Sequence, residues 1–162
     1  MRTLYLIGSL RNPQIPKIGN RLRAAGYDVF DDWFAAGPEA DDKWKDYEQA
    51  RGHSYLEALQ GLAADHVFAF DLRHLNRADL GVVALPAGRS AFTEFGYLTG
   101  QGKSVYVLLD DPERWDVMLK FAAGVYLNLE DLICTLSTSQ ARSEQTMPGR
   151  LSSMFESLRH WR

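Results

Sequence analysis

Two short apolar, β-prone runs constrain this chain most. Each ends in a loop that holds glycine and leads straight into helical sequence. The first, Thr3–Ile7, stops at Gly8. The second, residues 80–85, stops at Pro86-Ala87-Gly88, and a helix is expected from Ser90. Apolar runs of five or six residues with no polar alternation fit strands buried on both faces, as in a parallel sheet covered by helices. Between the runs the pattern alternates. Residues 17–25 place Ile18, Leu22 and Ala25 on one helical face, Gly26 ends that helix, and 27–30 reads as a second strand. This βαβ opening is expected to cross over right-handed.

A polar stretch from Asp31 to Arg51 contains a helix from about Asp41. Residues 53–64 continue as a helix with Leu56, Leu59 and Leu62 on one side, and 66–70 is apolar and of open type. Residues 71–78 form a short helix, 90–100 a helix, 104–109 a strand, and Asp110-Asp111-Pro112-Glu113 a helix start. Tyr126 and Leu127 make a last strand and 129–136 a last helix. Strands alternating with helices predict an α/β three-layer sandwich with a mostly parallel, flavodoxin-like or Rossmann-like sheet of about five strands. The expected organisation is one domain over 1–136, then a polar, loose segment over 137–150 and an amphipathic helix over 151–161 that packs on the domain or on a partner subunit.

At 162 residues, 46% hydrophobic and 24% charged, the chain can bury a core without staples. A net charge of −3 argues against nucleic acid or an acidic membrane as partner. The single cysteine, Cys134, sits in an apolar context and is expected to be buried. With one cysteine there is no disulfide framework and no cysteine zinc site. The first apolar run is too short for a signal peptide and no stretch is long enough to span a membrane, so a cytoplasmic protein is the expectation.

Four features carry chemistry. Gly8-Ser9-Leu10-Arg11-Asn12 follows the first strand, where a close backbone, a hydroxyl and a guanidinium suit a phosphate. It is neither a Gly-x-Gly-x-x-Gly fingerprint nor a Walker loop, so no ATP or NAD cofactor is expected. Five acids, Asp31, Asp32, Asp71, Asp79 and Glu94, offer candidates for the paired carboxyl groups of glycosidic cleavage. Of these Asp79 is expected at the opposite end of the sheet. Loop N–H groups and a positive helix end before Glu94 favour an anion and its ionised form. Trp33 offers a flat face for a base, although core packing accounts for it equally well. The histidines show no metal spacing, and His74 is expected at the surface or in support of the site. Taken alone, this segment favours reading Glu94 as an ordinary surface glutamate in a first helical turn.

In order along residues 3–135, Tyr5, Gly8-Ser9-Leu10-Arg11, Asp71, Ala78-Asp79 before an apolar strand, and Glu94-Phe95-Gly96 resemble the nucleoside 2-deoxyribosyltransferase family in its broad sense. That family includes the 2'-deoxynucleoside 5'-phosphate N-hydrolases. The resemblance implies that Glu94 attacks C1' of the sugar, that Asp71 assists with proton handling, and that Tyr5 hydrogen-bonds near the nucleophile. It implies a phosphate role for Arg11, no cofactor, a small-molecule nucleoside or nucleotide as partner, and a homodimer or higher homo-oligomer. The position six before the nucleophile, Asp in transferases and Ser in the nucleotide hydrolases, is Gly88 here, with Arg89 and Ser90 beside it. Asn128 is a candidate for the family's C-terminal asparagine. Two alternatives stay open: a non-catalytic nucleotide-binding or sensing module on the same fold, and cleavage of an NAD-type nucleotide.

Overall fold

The computed structural model describes residues 1–109 and 115–145, with the backbone alone for 140–145. Five parallel strands, β1 (Thr3–Ile7), β2 (Asp28–Phe30), β3 (Leu80–Ala84), β4 (Ser104–Leu108) and β5 (Gly124–Tyr126), lie in the order β2-β1-β3-β4-β5. This is the doubly wound order in which the chain reverses direction between β1 and β3, and ligands of such sheets bind at that point. Six helices flank the sheet: α1 (Ile15–Ala24), α2 (Ala40–Ala50), α3 (Tyr55–Leu59), α4 (Leu62–Arg77), α5 (Arg89–Gly100) and α6 (Leu129–Gln145). Two 3-10 turns, Asp32–Ala36 and Val117–Phe121, complete the described elements.

Alternation along β1 divides the core in two. Leu4 and Leu6 face α1 and α6, where they meet Ile15, Ile18, Leu22, Leu132 and Leu136. Tyr5 and Ile7 face α4 and α5, against Leu75, Ala91, Phe95 and Leu98. The expected sandwich thus follows from the two-residue period of a strand buried on both sides. Gly81 lies beside Tyr5 in register. A Cβ there would come 2.8 Å from Leu98 Cδ1 and 3.2 Å from Val105 Cγ1, so the missing side chain lets α5 approach the sheet closely.

Several sequence expectations change. Residues 66–70 and 71–78 are not separate elements: 66–77 all belong to the 16-residue α4, and Ala78 is its C-cap. The helix expected over 53–64 breaks at Gly61 into α3 and the start of α4, and Leu56, Leu59 and Leu62 are 69%, 49% and 87% exposed. The last helix does not stop at 136 but continues to Gln145, so 137–145 is not loose. Cys134 is exposed, because the buried positions of α6 are Leu132 and Leu136. The helix start at 110–113 and the amphipathic stretch 151–161 lie outside the described residues. Among the described residues, no helix is long and apolar enough to cross a membrane.

Candidate active site

Of the five candidate acids, three are engaged elsewhere or lie apart. Asp31 is paired with Arg23, and Asp32 is exposed at the start of a 3-10 turn. Asp79 accepts the Thr3 N–H at 2.7 Å, at the amino end of the sheet as expected. Asp71 and Glu94 remain, and the fold brings them together over Tyr5. Tyr5 is 1% exposed, two residues before the end of β1, on the face covered by α4 and α5. Its hydroxyl makes a long contact, 3.5 Å, to Glu94 Oε1. Glu94 comes from the second turn of α5 and Asp71 from α4, so three elements each contribute one group.

The electrostatics are mutual. Burial first, and then the Asp71 charge, push Glu94 from 4.5 up to about 7, while the Tyr5 hydroxyl partly opposes this. Burial also raises Asp71, with His74 pulling it back. Tyr5 is raised strongly, by burial and then by the Glu94 and Asp71 charges. The loop N–H groups and the helix end therefore do not hold the Glu94 carboxyl in the low range expected of them. Glu94 lies far enough along α5 that desolvation and a neighbouring carboxylate outweigh the helix end, whose influence fades within the first turn. A carboxyl group poised near 7 can serve as nucleophile or proton carrier within the physiological range.

Aromatic packing and one polar network hold the groups in place. Phe30, the register partner of Tyr5, lies 5.0 Å from its ring and stacks at 3.8 Å on His74. This bridge from β1 to α4 was not singled out from the sequence. Its signal would have been an aromatic at the end of the strand beside Tyr5. At the foot of α4, Asn76 Oδ1 accepts from Tyr97 Oη at 2.8 Å and from Gln101 Nε2 at 2.9 Å. Lys103 Nζ donates to the Leu75 and Asn76 carbonyls at 2.8 and 2.9 Å. The helices that carry the two acids are thus tied to each other.

Tyr5→Phe is expected to move the titration of Glu94 further upward, because the contact that favours its ionisation is lost. Carboxyl-carbon NMR titration of the variant checks this. A titration left in place would show that Tyr5 only fills space.

The loop residues divide by role. Asn12 is buried, accepts the Gln14 N–H at 3.0 Å and reaches the Ala84 carbonyl at 3.5 Å, so it ties the loop after β1 to the end of β3. Ser9 Oγ accepts the Arg11 N–H at 3.1 Å, and half-buried Leu10 lies between them. Beside Gly8 the space is taken by Ile15, whose Cδ1 lies 2.5 Å from where a Cβ would stand, with Trp33 Cη2 at 3.5 Å. Trp33 Nε1 donates to the Leu6 carbonyl at 2.9 Å, which fixes its half-buried indole beside Gly8. Arg11 is exposed and paired with Asp42. Gly88 is the N-cap of α5, and Gly88, Arg89 and Ser90 are all exposed. Asn128 caps α6, accepting the Asp131 N–H at 2.9 Å.

Among the described residues, no group of three or more His, Cys, Asp or Glu side chains is arranged to hold a metal. Two apolar depressions of about 410 and 430 Å³ border the Val117–Phe121 turn, and neither takes in Tyr5, Asp71 or Glu94.

No protein-family model matches the chain, and no curated protein matches it in sequence. Solved structures do. A 2-deoxyribosyltransferase from the psychrotolerant bacterium Bacillus psychrosaccharolyticus matches with a TM-score of 0.56 at 20% identity, over 81% of this chain and 90% of that one. A conserved protein from Enterococcus faecalis V583 matches with a TM-score of 0.56 at 14% identity, over 82% and 95%. The CMP N-glycosidase BcmB from Clostridium botulinum matches with a TM-score of 0.49 at 14% identity, over 83% and 98%. At these identities the likeness is one of fold, and this chain has the fold of a 2-deoxyribosyltransferase.

Proposed function

We propose that this protein breaks the N-glycosidic bond of a nucleoside or nucleoside 5'-monophosphate and passes the glycosyl group to water or to a second base. The observation that carries the reading is the convergence of Glu94, Asp71 and the Tyr5 hydroxyl from three separate elements in a desolvated setting. Ionised Glu94 attacks C1', forming a glycosyl ester as the C1'–N bond breaks. Asp71, whose pKa burial raises, gives its proton to the departing base. In the second step water or another base attacks C1', Asp71 takes back a proton, and Glu94 leaves as carboxylate. Two displacements at one carbon retain its configuration.

The loops 8–12 and 88–90 flank the switch between β1 and β3 and receive the 5' end of the sugar. There Arg89, Ser90 and the first N–H groups of α5 suit an anion. Trp33 supplies an edge of the base site. A homodimer is the proposed assembly, supported by Leu62, Val67 and Phe68 on α4 at 87%, 59% and 67% exposure. The cytoplasm is the proposed compartment.

The test is a panel of ribo- and deoxyribonucleosides, their 5'-monophosphates and NAD, assayed for free base by chromatography. Release from a nucleoside or monophosphate is expected, and release from NAD alone moves the substrate class. Thermal stabilisation by a nucleotide with no base released over long incubation overturns the reading in favour of a binding module, which Gly88 would suit by offering no side chain to the substrate.

A further inference from the structure

The cation of the β1–α1 loop already has an anion. Arg11 Nη2 lies 2.9 Å from Asp42 Oδ2, 31 residues away in the first turn of α2, and both side chains are about two-thirds exposed. The backbone beneath Arg11 is fixed: Ser9 accepts from the Arg11 and Asn12 N–H groups, and Asn12 is buried. The guanidinium can therefore change partners without moving the loop.

On the other side, the one buried side chain of α2 lies near its C-terminus. This is Glu48, which meets His53 Nδ1 at 2.6 Å and Arg51 Nη1 at 3.5 Å. The helix is bracketed by Gly37 and Gly52 with φ of 84° and 81°, a backbone state that other residues rarely adopt. Its first turn is tied to the body through Arg11.

We propose that Asp42 is a specificity-determining residue: its carboxylate competes with an anionic 5' group of the substrate for Arg11. The inference rests on the function proposed above, which places the 5' end at this loop. With Asp42 in place the charge of Arg11 is already neutralised, and a phosphate arriving there meets a second anion within reach of the same guanidinium. A neutral 5'-hydroxyl meets no such penalty, since it donates to Asp42 and accepts from Arg11. An exposed ion pair contributes little to stability, so it exchanges at small cost when a dianion binds. Discrimination between nucleoside and nucleotide is then set by a contact between α2 and the β1–α1 loop, in addition to the loop at Gly88.

The test is calorimetric titration of the four 2'-deoxynucleosides and their 5'-monophosphates into the wild type, Asp42→Asn, Arg11→Gln and the double variant, with melting curves confirming that each is folded. Asp42→Asn is expected to tighten monophosphate binding about 3- to 10-fold while nucleosides change by less than about twofold. Arg11→Gln weakens monophosphate binding and silences the Asp42 substitution in the double variant. The inference is overturned if Asp42→Asn weakens monophosphate binding, if it moves both ligand classes by the same factor, or if no variant binds a monophosphate. Base release measured on the same samples keeps the two ideas apart. Charge-selective binding without release overturns the enzyme reading alone, and release without charge selectivity overturns the Asp42 inference alone.

Discussion

Glu94→Gln is expected to abolish base release, by at least about 10³-fold, and at the same time to make the protein more stable at pH 8. The first effect follows from removing the carboxylate that attacks C1' in the first step of the proposed reaction. The second follows from the raised pKa. In the unfolded chain Glu94 titrates near 4.5, and in the folded protein near 7. Below pH 4.5 both states hold the proton. Between 4.5 and 7 the folded state retains a proton that the unfolded state has lost, and folding stability falls as pH rises through this window. Above 7 the folded state bears an ionised carboxylate in a desolvated place, at a cost on the order of 3 kcal/mol. Glutamine carries no charge to bury, so the variant should melt several degrees higher at pH 8 and close to the wild type at pH 5. Melting curves at the two pH values and a base-release assay check this. Activity surviving in Glu94→Gln would remove Glu94 from the chemistry, whereas equal melting temperatures at pH 8 would mean that its environment is wetter than the structure indicates.

Asp71→Asn is expected to lower kcat/KM for base release about 10²- to 10⁴-fold, the usual range for a lost proton donor. It should also shift the acid limb that Glu94 sets. The Asp71 charge opposes ionisation of Glu94, so removing it lets Glu94 lose its proton at lower pH and moves the limb down. The two carboxyl groups interact, and the wild-type limbs therefore belong to the pair rather than to one residue. A pH–rate profile of the variant measures both effects. A fall in rate with the limb unmoved would mean that Asp71 acts on the leaving base without reaching Glu94. An unchanged rate would remove it from the mechanism.

Local signals carried much of this fold. The apolar runs at Thr3–Ile7 and 80–85 became buried neighbours β1 and β3, and the Gly88 boundary became the cap of α5, because each depends on adjacent residues. Tyr5, Asp71 and Glu94 were legible as an ordered set, and the structure brings them together. What stayed hidden was non-local or set by exposure. His66 to Phe70 reads as apolar, yet it lies within α4 with Val67 and Phe68 exposed, and no periodicity shows which apolar side chains a fold leaves uncovered. Glu48 would be taken for a surface acid and is buried because His53 and Arg51 meet it. The Arg11–Asp42 pair spans 31 residues and leaves no mark in spacing. The ionisation of Glu94 went the wrong way for a related reason: the helix end is visible in sequence, whereas the desolvation that outweighs it is a property of the assembled site.

Gly81 carries a consequence of a different kind. It stands beside Tyr5 on the neighbouring strand, and its missing side chain admits Leu98, which lies one helical turn beyond Glu94 on α5. The separation between helix and strand is therefore also a tolerance on the chemistry. An added side chain at position 81 would press on Leu98 and Val105; in the proposed reaction, a shift of α5 that moved the Glu94 carboxylate by about 1 Å would cost on the order of a hundredfold in rate. In this architecture a hydrogen atom buried in the sheet acts as the gauge block against which the reactive group is set.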